Sequence, residues 1–261
     1  MAENQGRSMI KYKCSMLLSD MAYKDSKLLI QNGIGLIPIG ATEAHGPHLP
    51  LSTDVIIAQG MAREAGSRLK GKGHACSILP PIAYSVADYA GGFPGTVSLR
   101  PETASAVILD IARSLAGQGV RCLGIANAHL EPAHIASIEA AVERIRSENL
   151  LAVAFPDVTK KPWALRLTEE FKSGACHAGR YEGSIVMAER PDLVKEEVMK
   201  TLPPNPASLA KAIREGKKTF QEAGGKDAYF GWPADATAEE GRATVKVLGG
   251  ILEEAVLQAL A

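Results

Sequence analysis

The stretch LLIQNGIGLIPIG, residues 28–40, is an apolar run closed by a glycine. From Leu28 to Ile39 it predicts a strand that enters a loop at Gly40. Downstream, Thr53–Leu69 predicts a helix with Asp54 in its first turn. Ser77–Ala83 reads as a second short strand, followed by the glycine-rich loop YAGGFPGT that closes at Thr96. Arg100-Pro101-Glu102-Thr103 opens a helix through Leu115, with proline and a carboxylate in its first turn. Arg121–Asn127 reads as a strand, Glu131–Glu148 as a helix and Leu150–Phe155 as a strand. Gly183–Arg190 is helix-like, KTLPPNPAS is a proline-rich connection, and Ala238–Leu260 is a last helix.

Short apolar strands alternating with helices predict an α/β fold, a mostly parallel sheet flanked by helices on both faces. Loops at the carboxyl ends of such strands form the ligand site. No repeat or long linker interrupts residues 1–261, so a single domain is expected. The glycines Gly33, Gly35 and Gly40 do not make a dinucleotide loop, because they fall inside the strand rather than between strand and helix.

Composition narrows the function. Lys and Arg number 29 and Asp and Glu number 29, so the balanced charge gives no footprint for nucleic acid or an anionic membrane. No apolar run reaches the ~20 residues that span a bilayer, and the N-terminus is polar, which predicts a cytoplasmic protein. Cys14, Cys76, Cys122 and Cys176 are scattered without CxxC spacing, which predicts free thiols rather than disulfides or a thiolate metal site.

The chemistry concentrates in the segment from Gly40 to Asp54, GATEAHGPHLPLSTD. Glu43 and His45 stand two apart there, and His129 and Glu131 repeat that spacing in NAHLEP. Both pairs follow a predicted strand. With Asp54 they make five oxygen and nitrogen donors, a set that suits Zn²⁺ or Mn²⁺ and two ions better than one. An aspartate can bridge two ions through its two oxygens. A single Glu-x-His says little, and Asp54 could simply cap its helix.

These residues lie in blocks that resemble the creatininase (creatinine amidohydrolase) family. TEAHGPHLPLSTD, the FPGT of residues 93–96, NAHLE, HAGRYE of residues 177–182 and GWPADATAEEG of residues 231–241 carry the resemblance, from about Leu28 to Leu260. It implies a creatininase-like fold with two Zn²⁺ or Mn²⁺ ions per subunit, often in a homo-oligomer such as a hexamer. It implies one ion on Glu43, Asp54 and His129 and the other on His45, Asp54 and Glu131, with Asp54 bridging. His177 matches a histidine near the substrate that passes a proton to the leaving nitrogen after hydroxide on the metals attacks the carbonyl. Glu182 is expected to partner His177 or touch the substrate, unless it only favours a helix start. His48 is expected to brace the ligand loop, His74 and His134 to be surface or packing residues, and Trp163 and Trp232 to pack.

The implied substrate is a small amide, lactam or formamide, with no nucleic acid or membrane partner. Ala128, Pro132 and Gly183 stand where the family pattern has glycine, asparagine and threonine, which speaks against creatinine itself. Two other readings remain: hydrolysis of a C–C or ester bond in a small cyclic carbonyl compound, and a metal-binding subunit without catalysis.

Overall fold

A computed structural model describes residues 16–261. Four strands form one parallel sheet: β1 (Ile34–Ile39), β2 (Cys76–Ile78), β3 (Cys122–Asn127) and β4 (Ala152–Ala154), in the order β2-β1-β3-β4. The helices are α1 (Tyr23–Ile30), α2 (Thr53–Gly71), α3 (Pro101–Gly117), α4 (Pro132–Ser147), α5 (Glu169–Ser173), α6 (Arg180–Glu189), α7 (Glu196–Met199), α8 (Leu209–Arg214) and α9 (Ala238–Leu260).

Every residue of β1 and β3 is buried, the pattern of strands covered on both faces. Side chains alternate between the two layers. Ile34, Leu36, Cys122 and Ala126 pack with residues of α2, α6 and α9. Ile37, Ile39, Leu123 and Ile125 pack with residues of α3 and α4. Each such aliphatic side chain contributes about 1.5–3 kcal/mol on burial. Gly124 lets α9 lie close on the sheet, since a Cβ there would come within 2.7 Å of Leu36 and 2.8 Å of Val256.

The structure moves the ends of several predicted elements. Leu28–Ile30 end helix α1 instead of opening a strand. Asn32 (φ 57°) and Gly33 make the turn, and β1 begins at Ile34. Ser77–Ala83 keeps strand pairing only to Ile78, because Pro80 and Pro81 have no N–H to give; Ile82 rejoins singly, its N–H donating to the Pro38 carbonyl at 2.9 Å. Leu150–Phe155 is trimmed to three residues, and the predicted 183–190 helix begins three residues earlier, at Arg180.

The crossovers bring β1 and β3 side by side in register, Ile39 opposite Asn127. Their loops therefore leave the sheet at the same height. Helix α2 starts against the end of β1: a Cβ on Gly40 would lie 2.5 Å from the Val55 nitrogen and 2.6 Å from the Asp54 carbonyl carbon. Only glycine admits that approach, and it sets Asp54 beside the loop that carries Glu43 and His45.

Candidate metal centre

Glu43 and His45 come from the loop after β1, Asp54 from the first turn of α2, His129 and Glu131 from the loop after β3, and His177 and Glu182 from the start of α6 and the loop before it. All seven side chains are buried. Three sets of donor atoms lie within 4.8 Å of one another: Glu43, Asp54 and His129; His45, Asp54 and Glu182; Glu43, His45 and His177.

Asp54 stands at the centre. Its Oδ1 lies 3.2 Å from His45 Nε2 and its Oδ2 lies 3.1 Å from His129 Nδ1. Ser52 at the N-cap of α2 makes no side-chain cap bond, and the Asp54 carboxylate turns away from the helix toward the histidines. The other ring nitrogens fix each imidazole. His129 Nε2 donates to the Val86 carbonyl at 2.7 Å, His45 Nδ1 to the Glu43 carbonyl at 3.1 Å and His177 Nε2 to the Ala44 carbonyl at 3.0 Å. Because carbonyls only accept, each partner fixes the tautomer and leaves the remaining nitrogen with a lone pair toward the centre when the ring is neutral.

Glu182 and Glu131 differ from their expected places. Glu182 Oε2 lies 3.5 Å from His45 Nε2 and completes the second donor set with Asp54. Glu131 joins none of the three sets. It is the N-cap residue of α4, and its Oε2 accepts the Tyr89 N–H at 3.2 Å, which turns the carboxylate toward the glycine-rich loop. A single turn before α6 brings His177 and Glu182 to the same centre, something no short spacing in the chain announces.

The hydrogen bonding of the donor set fits a metal. Glu43 Oε2, His45 Nε2 and Asp54 Oδ2 are fully buried and find no hydrogen-bond partner. His45 Nε2 and Asp54 Oδ2 approach polar atoms at 3.2 Å and 3.1 Å without the direction that a hydrogen bond needs. A buried polar atom left so is costly unless something else satisfies it. Lone pairs of carboxylates and imidazoles that converge on common points, with no thiolate among them, fit Zn²⁺ or Mn²⁺.

Electrostatics agree with that crowding. Burial disfavours a charged His45, yet Asp54, Glu182 and Glu43 outweigh it and hold the ring at about 10. Burial works against an ionised Asp54, but His45 and His129 keep it far below the usual carboxylate range. Burial, with Asp54 and Glu43 nearby, pushes Glu182 up to about 8. Burial also lifts Glu131 to about 7, and burial and the His45 charge press His177 down to about 4.

Further residues surround and support the centre. Asn127 donates to the His129 carbonyl at 2.7 Å and accepts from His134 Nε2 at 2.9 Å, so His134 is a buried brace. The Thr96 hydroxyl of FPGT accepts the Ala44 N–H at 3.1 Å. Glu170 receives the N–H groups of Arg180 (2.9 Å), Tyr181 (2.5 Å) and Trp232 (2.8 Å), tying the GWPAD block to the first turn of α6. His48 is buried with its ring edge-on to Tyr229. Gly183 faces away from the centre: a Cβ there would meet Ala236 at 3.2 Å. Pro132 occupies the first turn of α4. Of the three departures from the family pattern, only Ala128 lines the cavity above the donors.

That cavity holds about 430 Å³. Glu43, Asp54, His129, Glu131, His177 and Glu182 contribute to its lining, with Leu130, Phe171, Leu209, Ile213 and Phe220 as apolar walls.

The profile of the creatininase family, described as creatinine amidohydrolase, matches residues 19–256. The chain belongs to the creatininase family. A mycofactocin precursor peptide peptidase of Mycobacterium ulcerans (strain Agy99) is 31% identical over 211 residues, 79% of this chain and 78% of that protein. The creatinine amidohydrolase of Pseudomonas putida is 27% identical over 207 residues, 73% and 78% of the two chains. A creatininase crystal structure superposes with a TM-score of 0.68 at 24% identity, covering 94% of this chain and 97% of that one. Two more creatininase structures, one a Mn form and one of Zn-Zn type, superpose at 0.68 and 0.67, each at 22% identity. The parallel sheet and its covering helices are thus the creatininase fold. Among the described residues no helix is long and apolar enough to cross a membrane.

Proposed function

We propose that this creatininase-family chain is a metal-dependent amidohydrolase with two ions per subunit. The observation that carries the reading is the convergence of buried donors in three sets, each with its atoms within 4.8 Å of one another, together with His45 Nε2 and Asp54 Oδ2 left without a hydrogen-bond partner at their centre. Glu43, Asp54 and His129 would hold one ion, and His45, Asp54 and Glu182 the other. The Mn and Zn-Zn forms of creatininases support the choice of metal. Such ions, when bound, polarise a carbonyl and bring the pKa of water to about 7.

The chain's own residues supply the proton traffic. Glu131, lifted to about 7 by burial and facing the cavity, can take a proton from water and return it. His177 donates Nε2–H to Ala44 and so presents an unprotonated Nδ1, 3.8 Å from Glu43 Oε1. In that state it accepts a proton first and can donate to a leaving nitrogen only afterwards. The apolar walls exclude water from the remainder of the substrate.

The bond we assign is an amide, with peptide-type amides included. Hydrolysis restricted to non-peptide C–N bonds loses support from the 31% identical relative, which is described as acting on a precursor peptide. The test is a chelator-stripped preparation reloaded with Zn²⁺ or Mn²⁺ and offered short peptides, lactams, formamides, lactones and cyclic ketones. Metal-restored turnover of amides supports the reading. Equal turnover by the stripped protein, or turnover of the lactones and ketones alone, overturns it.

A further inference from the structure

The floor and the mouth of the cavity carry opposite charge. Its acidic residues, Glu43, Asp54, Glu131 and Glu182, are all buried. Its exposed charged residues are all cationic: Lys161, Lys172 and Arg214. In a chain with 29 basic and 29 acidic residues this segregation is not a consequence of composition.

The three cations differ. Lys172 is ion-paired with Glu169. Lys160, beside Lys161, is turned into a pair with Glu139 (2.5 Å) and Asp157 (3.2 Å). Lys161 lines the cavity, and neither it nor Arg214 makes an ion pair or side-chain hydrogen bond among the described residues. The same cavity is lined by apolar surfaces, including Leu165, which remains 58% exposed. Both cations come from segments that follow none of the ligand loops in sequence, which is why the chain shows no basic cluster beside its motifs.

We propose that Lys161 and Arg214 are specificity determinants that bind a carboxylate of the substrate, and that the substrate is an extended amide with an apolar body and this anionic end away from the scissile bond. The inference rests on the amidohydrolase reading for its scissile bond, while the anion site stands on the cavity alone. A volume of about 430 Å³ lies within the range of sites that enclose whole small molecules, and it accommodates more than a lone five-membered ring. An arginine and a lysine with no partner keep full donor capacity for a carboxylate. A terminal carboxylate is what a peptide or an acyl-amino acid would offer there.

The experiment compares N-acetyl-leucyl-phenylalanine with N-acetyl-leucyl-phenylalaninamide, which differ in that charge. Binding to the metal-loaded protein is measured by calorimetry at low and high salt, beside turnover of both. The free acid is expected to bind at least fivefold more tightly, with the advantage shrinking at high salt. In the Lys161→Gln/Arg214→Gln double variant the ratio of the two affinities should fall toward one. Both positions are exposed, and circular dichroism checks the fold; should the double variant not fold, each single variant is read for a partial fall in the ratio. A preference that survives the substitutions places the anion on the metals and overturns the proposal, as does equal binding of acid and amide or no binding of either. Anion-selective binding without turnover of any amide leaves the subsite in place and overturns the amidohydrolase reading instead.

Discussion

Glu182 Oε2 stands 3.5 Å from His45 Nε2, and the same carboxylate oxygen accepts the Ala178 N–H at 2.6 Å. Glu182 is therefore locked on two sides before any ion arrives. Glu182→Gln should lower metal content toward one ion per subunit, since it removes charge from the set shared with His45. Glu131→Gln should leave two ions and depress turnover, because Glu131 belongs to no donor set and is the proton carrier we propose. Metal analysis after gel filtration separates the variants. Two ions in the first and one in the second would reverse the two roles.

Asp54→Ala is expected to abolish binding of both ions, because its two oxygens face His45 and His129 separately. A helix cap alone would cost about 0.5–2 kcal/mol and leave metal content unchanged. Thermal unfolding with and without added Zn²⁺ reads the difference: the wild-type protein should gain stability with the ion and the variant should gain none.

Metal loading should release protons at neutral pH. In the metal-free state Asp54, Glu182 and Glu43 overcome burial and hold His45 up at about 10, while burial holds Glu182 up at about 8, so both carry a proton at pH 7. Both must lose it to coordinate. Apparent affinity is thus expected to rise with pH across neutrality and to flatten above those values. Calorimetric titration of stripped protein in buffers of different ionisation enthalpy counts the protons. A heat independent of the buffer would refute the assignment.

Cys76 and Cys122 flank Ile34 in the sheet, and burial pushes both thiols up to about 12. At pH 8 almost none of either is thiolate, so native protein should leave them unmodified by iodoacetamide while urea exposes them. Peptide mapping by mass spectrometry checks each position separately. Cys14, read as another free thiol, lies outside the described residues.

The α/β architecture was legible because β1 and β3 are continuous apolar runs of six residues, and α9 runs between the same residues that its pattern predicts. Proline and the Asn32-Gly33 turn account for the displaced ends of the first two strands. Glu43, His45, Asp54 and His129 were legible because strand ends and one helix start put them on short loops. Glu182 was not legible as a partner of His45: its place depends on Glu170 clamping the start of α6 to the loop at Trp232, a contact across the fold that leaves no periodicity. The cationic mouth escaped for a similar reason, since Lys161 and Arg214 come to line one cavity only after the segments between them have folded.

The packing of α9 against α2, α6 and the sheet has a consequence for biosynthesis. A nascent chain that has emerged only as far as Trp232 already contains every donor of the centre. Without α9, however, α6 lacks the core that Ile185 shares with Leu248, and the helix that carries Glu182 loses that support. Long-range contacts of this kind form late. The place we propose for a second ion is therefore expected to take shape only after α9 has been synthesised and has packed.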